Sequence, residues 1–323
     1  MTVAAPRSKA WLSESGPLIA FLVLYIFAAI WQPAVFLNPS GLRNLVGQNV
    51  GVGLVAIGMT LVVVSGGIDL SVGSMIGLVG ALGMTALNRG TGGSFALFAI
   101  VCLALGPVFG YLNGLIVTLG RIAPFVATLA GLAAYRSLAL VLADGGQMTP
   151  KSSDVLAGLS TSGIPLGPVT ITWAILLFLV IAALAHVLLA KTVYGRHLQA
   201  TGANEQAARF GGINTDRIKR GAYAFLGLCV GLAALAETSR QNSLSSSQAG
   251  VGYELDAIAA VVIGGANLSG GRGRIFYTVI GVLFLGTVGN LLVAAGISPY
   301  WQGFVKGVII LFAVLLGRTR RDG

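Results

Sequence analysis

Ten apolar runs of roughly membrane-spanning length follow one another along this chain, and they constrain its fold more than any other feature. They are Pro17–Phe36, Asn49–Ser65, Ser71–Leu87, Ser94–Thr118, Ile122–Ala143, Pro168–Ala190, Gly221–Glu237, Tyr253–Asn267, Ile275–Ala295 and Tyr300–Gly317. A helix rises about 1.5 Å per residue, so about 20 apolar residues cross the roughly 30 Å hydrocarbon core. The third and eighth runs are short for this and are expected to be broken or tilted. Only 9% of the 323 residues are charged and mean hydropathy is +0.88, whereas a soluble domain carries about 25% charge. The expected fold class is an all-α membrane protein of about ten transmembrane helices.

Charge placement orients these helices. With the N terminus in the cytoplasm, fourteen of the 20 Lys and Arg residues fall on cytoplasmic segments, four on external ones, and Arg136 and Lys306 within spans. Basic residues collect on the cytoplasmic side of membrane proteins. Both termini are therefore expected to be cytoplasmic, and the net charge of +10 is an orientation signal that needs no nucleic-acid partner. The expected layout is an N-terminal tail over 1–16, one membrane domain over 17–317 and a basic C-terminal tail over 318–323. A polar external loop covers 144–167, and a basic cytoplasmic loop covers 191–220. Arg7 and Lys9 precede the first run with no A-x-A site after it, so the run is read as a retained helix.

Small residues suggest how the helices meet. Gly106, Gly110 and Gly114 make two consecutive G-xxx-G steps, and Gly47/Gly51 and Gly227/Gly231 make others. Such steps let helix backbones approach closely in lipid. Asn113 and Asn290 lie mid-span, where they either bond neighbouring helices or line an aqueous path. Cys102 and Cys229 lie in apolar runs and read as small core residues. His186 and His197 have no ligand cluster around them, so no metal site is expected.

Several chemistries lack their motifs. None of the five lysines follows a glycine, so there is no P-loop, and neither H-E-x-x-H nor G-x-S-x-G occurs. The few acids near the spans, Asp69, Glu237, Glu254 and Asp256, sit near expected helix ends. A proton-coupled carrier would carry acids or histidines as a relay inside its spans. An ion-coupled secondary transporter is thus the weaker reading beside transport powered from elsewhere.

Three stretches carry more specific information. In "GGIDLSVGS", Gly66 and Gly67 stop a helix, and Asp69 or Ser71 is placed to cap the next one, with Leu70 and Ser74 beside them. The acid there is either a plain cap or a cap that also forms part of an inner gate. In "YGRHLQATGANEQAARFGGI", Glu205–Phe210 holds good helix formers, Asn204 is placed as their cap, and Gly211 and Gly212 stop them. This piece is either a solvated connector or a docking helix. In "GVGYELDAIAAVVIGGANLSGGRGRI", Glu254 and Asp256 either open the eighth helix or meet a partner at the external mouth, near Gln241, Asn242, Ser243 and Ser245–Ser247. The substretch "GGANLSGG" repeats five of eight positions of the first motif, with Asn267 in place of Asp69.

Together these three stretches resemble the permease subunits of bacterial ABC monosaccharide importers, the ribose, xylose and arabinose type. The resemblance runs from the first span to "GRTRR" at Gly317–Arg321. It implies a vitamin B12-type (type II-like) permease fold in the bacterial inner membrane. It implies a dimer with a second copy or a paralogue, and a sugar-binding protein, periplasmic or lipid-anchored, that delivers the substrate. It implies an ATP-binding subunit that supplies the missing P-loop and binds ATP and Mg, so no cofactor is expected on this chain. Gly202, Asn204, Glu205, Ala207, Ala208, Arg209 and Gly212 would then couple to that ATPase. Gly264, Gly265, Asn267, Gly270 and Gly271 belong with Glu254 and Asp256 in the third motif. The expected function is ATP-driven alternating access for a pentose or hexose. A furanosyl signalling molecule or a nucleoside is the alternative solute.

Overall fold

A computed structural model describes residues 15–89, 94–151 and 154–319. Residues 1–14 and 320–323, which make up most of the two expected tails, lie outside the described residues. The fold is mainly helical. Its elements are α1 (Gly16–Trp31), α2 (Pro33–Phe36), α3 (Pro39–Gln48), α4 (Val50–Val64), α5 (Val72–Arg89), α6 (Phe95–Leu119) and α7 (Pro124–Leu142). Then come β1 (Gln147–Met148), α8 (Asp154–Thr161), β2 (Gly163–Leu166), β3 (Val169–Thr172), α9 (Trp173–Lys191), α10 (Val193–Ala203), α11 (Glu205–Phe210) and α12 (Thr215–Gln241). The chain ends with β4 (Leu244–Ser245), α13 (Tyr253–Ile263), α14 (Ile275–Ala294) and α15 (Pro299–Thr319).

Every apolar run carries a helix, but the helices differ in how far they reach. Among the described residues, α6, α7, α9, α12 and α14 are long and apolar enough to cross a membrane. The pair α3 and α4, bent by 51°, makes a sixth if taken together. The first run is not one helix. Gln32 precedes Pro33 and takes φ −130° and ψ 65°, because the proline ring excludes the helical region for its predecessor. The eighth run stops at Ile263, where Gly264 and Gly265 (φ +81°) end it. The head of the sixth run is strand: β3 pairs with β2 as an antiparallel hairpin, and α9 starts only at Trp173.

The core is organised around α4, all of whose fifteen residues are buried. A helix that is apolar all round belongs inside a bundle. Against this core, α6 and α12 pack by their glycines. A Cβ at Gly106 would sit 3.0 Å from the Gly231 nitrogen, and one at Gly110 would sit 2.8 Å from the Gly227 Cα. The G-xxx-G steps of the two helices therefore interlock within one chain. Gly47 and Gly51 form no such face, since they lie in α3 and α4 on either side of the bend. Outward faces of α6 and α7 stay apolar, with Ile100, Leu138 and Val141 exposed as lipid-facing residues would be.

The two expected loops are built. The stretch 191–220, expected to be cytoplasmic, is mostly helical, comprising α10, α11 and the first turns of α12. The stretch 144–167, expected to be external, contains α8 and one strand of the β2–β3 hairpin.

Candidate functional site

After α4 the chain turns back into the bundle. Gly66 takes φ +82°, the Gly67 N–H reaches the Val62 carbonyl (2.9 Å), and the helix ends there. The next residues climb between α6, α7 and α12. The Tyr223 hydroxyl donates to the Ile68 carbonyl (3.0 Å), and the Leu70 N–H donates to Thr128 Oγ1 (3.1 Å). Asp69, Ser71 and Thr128 are wholly buried, and Asn113 almost so.

Asp69 accepts three hydrogen bonds. Ser71 gives two to Oδ1, from its N–H (2.8 Å) and its hydroxyl (2.6 Å). Asn113 gives one from Nδ2 to Oδ2 (3.0 Å), and the same nitrogen lies 2.8 Å from Ser71 Oγ. The Tyr135 hydroxyl closes the chain by donating to Asn113 Oδ1 (2.8 Å). Ser74 donates its hydroxyl back to the Ser71 carbonyl (2.9 Å).

Asp69 lies in the turn between α4 and α5, at a helix end as expected, and its side chain also reaches inward to α6. Asn113 lies six residues before the end of α6, about 9 Å inside it. Asp69 is therefore a buried tie among the α4–α5 turn, α6 and α7. The bond it accepts from Ser71, the residue just ahead of α5, is an Asx turn. Asn113 spends its amide on this network. Asn290 is half-buried on α14.

The segment from Gly202 to Lys219 is equally well determined. Asn204 Oδ1 accepts from the Ala207 N–H (3.0 Å) and caps α11. Ala208 is buried beneath this short helix, and Gly212 (φ +83°) ends it. Arg209 is held from both sides, by Glu205 (3.0 Å) and Asp216 (2.7 Å), and Lys219 also reaches Glu205 (2.5 Å). Partial burial pushes the Glu205 carboxyl up, but the bonds from Lys219 and Arg209 outweigh it and hold it below the ordinary range. Arg209 thus braces its own loop. The residue left open is Phe210, 93% exposed at the end of α11. Sequence reasoning passes over it as part of a helix-forming run. Its signal is a phenylalanine at the end of a short capped run inside the basic 191–220 loop.

The third motif meets the other two. The Gly271 N–H donates to the carbonyl of Val64 (2.9 Å), the last residue of α4. Gly202 of α10 sits against both, and a Cβ there would lie 2.6 Å from the Gly271 nitrogen and collide with the Val64 carbonyl. Gly66 faces the same spot, with the Gly202 Cα 3.9 Å from where its Cβ would be. Gly270 (φ +91°) and Gly271 (φ +80°) adopt backbone that other residues rarely take. Gly264 abuts the Tyr277 carbonyl on α14. The echo between the motifs holds in part. Asn267 Oδ1 accepts from the Ser269 N–H (3.1 Å), as Asp69 does from Ser71. Gly265 matches Gly66 in φ, but it stands two residues before Asn267, where Gly66 stands three before Asp69.

Glu254 and Asp256 lie in the first turn of α13, where acids suit the positive helix end. Asp256 also pairs with Lys306 of α15 (2.8 Å). Glu237, near the end of α12, is held by Arg240 (2.8 Å), by Gln241 (3.2 Å) and by the Tyr253 hydroxyl.

Helices long and apolar enough to cross a membrane, packed around a buried polar tie, fit a membrane-embedded permease. Comparison with known proteins narrows the class. The sequence model of the family described as "Branched-chain amino acid transport system / permease component" matches residues 41–314, and the chain belongs to that family. It is 42% identical over 310 residues to the ribose import permease protein RbsC of Bacillus subtilis (strain 168), covering 96% of this chain and 94% of the relative. It is 41% identical over 328 residues to the protein of the same name in Escherichia coli (strain K12), covering 99% of each. The xylose transport system permease protein XylH of Haemophilus influenzae is 32% identical, over 94% of this chain and 96% of its own. No solved structure gives a significant match.

Proposed function

We propose that this chain is the membrane subunit of an ATP-binding cassette importer that carries a monosaccharide, with ribose the first candidate. The observation that carries the reading is the near end-to-end similarity, at 41–42% identity, to two permeases named for ribose import. The family's description speaks of branched-chain amino acids. The full-length relatives bear on the solute more directly, because their similarity runs over the whole chain. A furanosyl signalling molecule or a nucleoside is the alternative solute.

In this reading the protein sits in the bacterial inner membrane with both termini cytoplasmic. It has ten helices of the vitamin B12-type importer fold and works as a dimer with a second copy or a paralogue. The separate ATP-binding subunit holds ATP and Mg and docks on α10 and α11. A binding protein, periplasmic or lipid-anchored, delivers sugar to the outer face. The contact of Gly202 with the Val64 and Gly271 backbones offers a direct route from docking to the core. Movement of α10 presses on the ends of α4 and of the α13–α14 turn together. The Asp69 tie then divides the moving α4–α5 turn from α6 and α7, and its making and breaking is the candidate inner gate.

The test is uptake by the complex of permease, ATPase and binding protein in proteoliposomes. D-ribose should accumulate with ATP inside and no ion gradient, with D-xylose, D-galactose and L-leucine as comparisons. Uptake that needs an ion gradient and ignores ATP would sink the ABC reading. Leucine import without sugar import would overturn the solute assignment.

A further inference from the structure

The strongest unassigned feature is the irregular stretch between α12 and α13. Helix α13 has 11 residues, about 16 Å of helix, roughly half of what the hydrocarbon core requires. Its lower end abuts the start of α14, where Gly264 meets the Tyr277 carbonyl. Its upper end therefore lies near the middle of α14, which has 20 residues. The chain reaches that level by descending beside α5 in turns. Leu244 packs at Gly80, the Ala249 carbonyl lies 3.7 Å from where a Gly77 Cβ would be, and the Gly250 backbone presses on Gly73. Gly250 (φ +69°) and Gly252 (φ +82°) make the turns possible.

This non-helical backbone is held from one side by an intramembrane charge. Arg136 of α7 donates to the carbonyls of Ser246 (2.8 Å) and Ala249 (2.9 Å). It lies six residues before the end of α7, about 9 Å inside it. The Ser246 hydroxyl adds a bond to the Gly146 carbonyl (2.8 Å). On the other side Ser247 and Gln248 are exposed. Irregular backbone and polar side chains at membrane depth do not face lipid; they persist only inside protein or beside water.

We propose that Ser246–Gly252, clamped by Arg136, lines a water-filled passage, and that Ser247 and Gln248 are side chains the travelling sugar meets. A neutral polyhydroxylated solute suits this wall, which offers a hydroxyl, an amide and turn peptide groups, while Arg136 is spent on the Ser246 and Ala249 carbonyls. The solute rests on the function proposed above; the aqueous passage does not.

The experiment is cysteine labelling in nanodiscs that hold the permease, its ATPase and its binding protein. Cys102 and Cys229 are both buried, so Gln248→Cys and Ser247→Cys can be read on the natural background. A charged methanethiosulfonate reagent should modify both positions, at rates that change between the nucleotide-free and ATP-plus-vanadate states, and the adducts should block ribose uptake. Gln248→Ala should raise KM for ribose roughly threefold to tenfold, as loss of one hydrogen bond implies. Positions unreactive in both states would mean that lipid or a partner copy covers the stretch, which overturns the proposal. Modification that leaves uptake intact overturns it as well. If the wild-type complex imports no sugar while both cysteines label with state dependence, the solute reading falls and the passage stands. If ribose is imported while both cysteines stay silent, the passage falls and the solute reading stands.

Discussion

Replacing Asp69 tests the buried tie most directly. In Asp69→Leu, three donated bonds lose their acceptor: the Ser71 N–H, the Ser71 hydroxyl and the Asn113 amide. A buried donor left unsatisfied costs about 1–3 kcal/mol. The Ser71 hydroxyl can rotate to another acceptor, so two groups remain and the loss is roughly 2–6 kcal/mol. That corresponds to a melting temperature lower by roughly 3–9 °C for a chain of this length. Asp69→Asn is gentler but not silent. Its oxygen keeps both Ser71 bonds, while its new amide meets the Asn113 amide donor to donor at the 3.0 Å separation. A flip of Asn113 relieves this, because its nitrogen then faces the Tyr135 hydroxyl, which can accept. Asp69→Asn should therefore melt within about 1 kcal/mol of wild type and import at a reduced rate. Adding Tyr135→Phe should cost more than the two changes separately. Thermal unfolding in detergent and ATP-driven ribose uptake are the two readouts. Wild-type melting and uptake in Asp69→Leu would refute the tie and the gate together.

Other expectations concern the 191–220 stretch. Gly202→Ala improves helix propensity by about 1 kcal/mol, yet its Cβ meets the Val64 and Gly271 backbones. ATP hydrolysis should persist while uptake falls, and a full recovery of uptake would remove Gly202 from the coupling route. Phe210→Ala should weaken co-purification of the ATPase with no change in melting temperature, since the ring touches little of its own chain. Arg209→Glu reverses a charge held by Glu205 and Asp216, so it should loosen α11 and weaken co-purification; normal ATPase capture would count against the docking assignment. The Glu205 carboxyl is held below its ordinary value of 4.5. Its contribution is present above that pH and lost as pH falls through the lowered value. Proteolytic protection of the 205–216 segment should thus be flat from pH 6 to 8, within the ordinary working range, and fail only in strong acid; loss between pH 6 and 7 would contradict it.

Much of the helical order is legible in the sequence because apolar runs and glycine stops are local signals. Asn204 capping Glu205–Phe210 needs only residues within hydrogen-bond reach along the chain. The depth of Asp69 is not legible. Nothing local to "GGIDLSVGS" says that Asn113 and Tyr135, from two other helices, will close around it. The charge count places the stretch at a helix end, which holds for the α4–α5 turn but gives no sign that the Asp69 side chain is buried against further helices. Arg136 is recognisable as lying within a span, but its partners are backbone carbonyls more than 100 residues away, and these carry no side-chain signature. The break before α13 is visible only as a run that is too short. Phe210 is hidden by its own helix propensity.

The meeting of Gly202, Gly271 and Val64 has a mechanical consequence. Side-chain contacts have slack, because a rotamer can swing before the backbone behind it moves. Here main chain rests on main chain from three segments, and no rotamer lies between them. Protein interiors are packed as densely as organic crystals, so such a bearing is stiff. A displacement of α10 of an ångström should arrive at the end of α4 and at the α13–α14 turn nearly undiminished, and both should move as one stroke. Glycine is what makes this joint hard: by lacking a side chain, it removes the compliant layer.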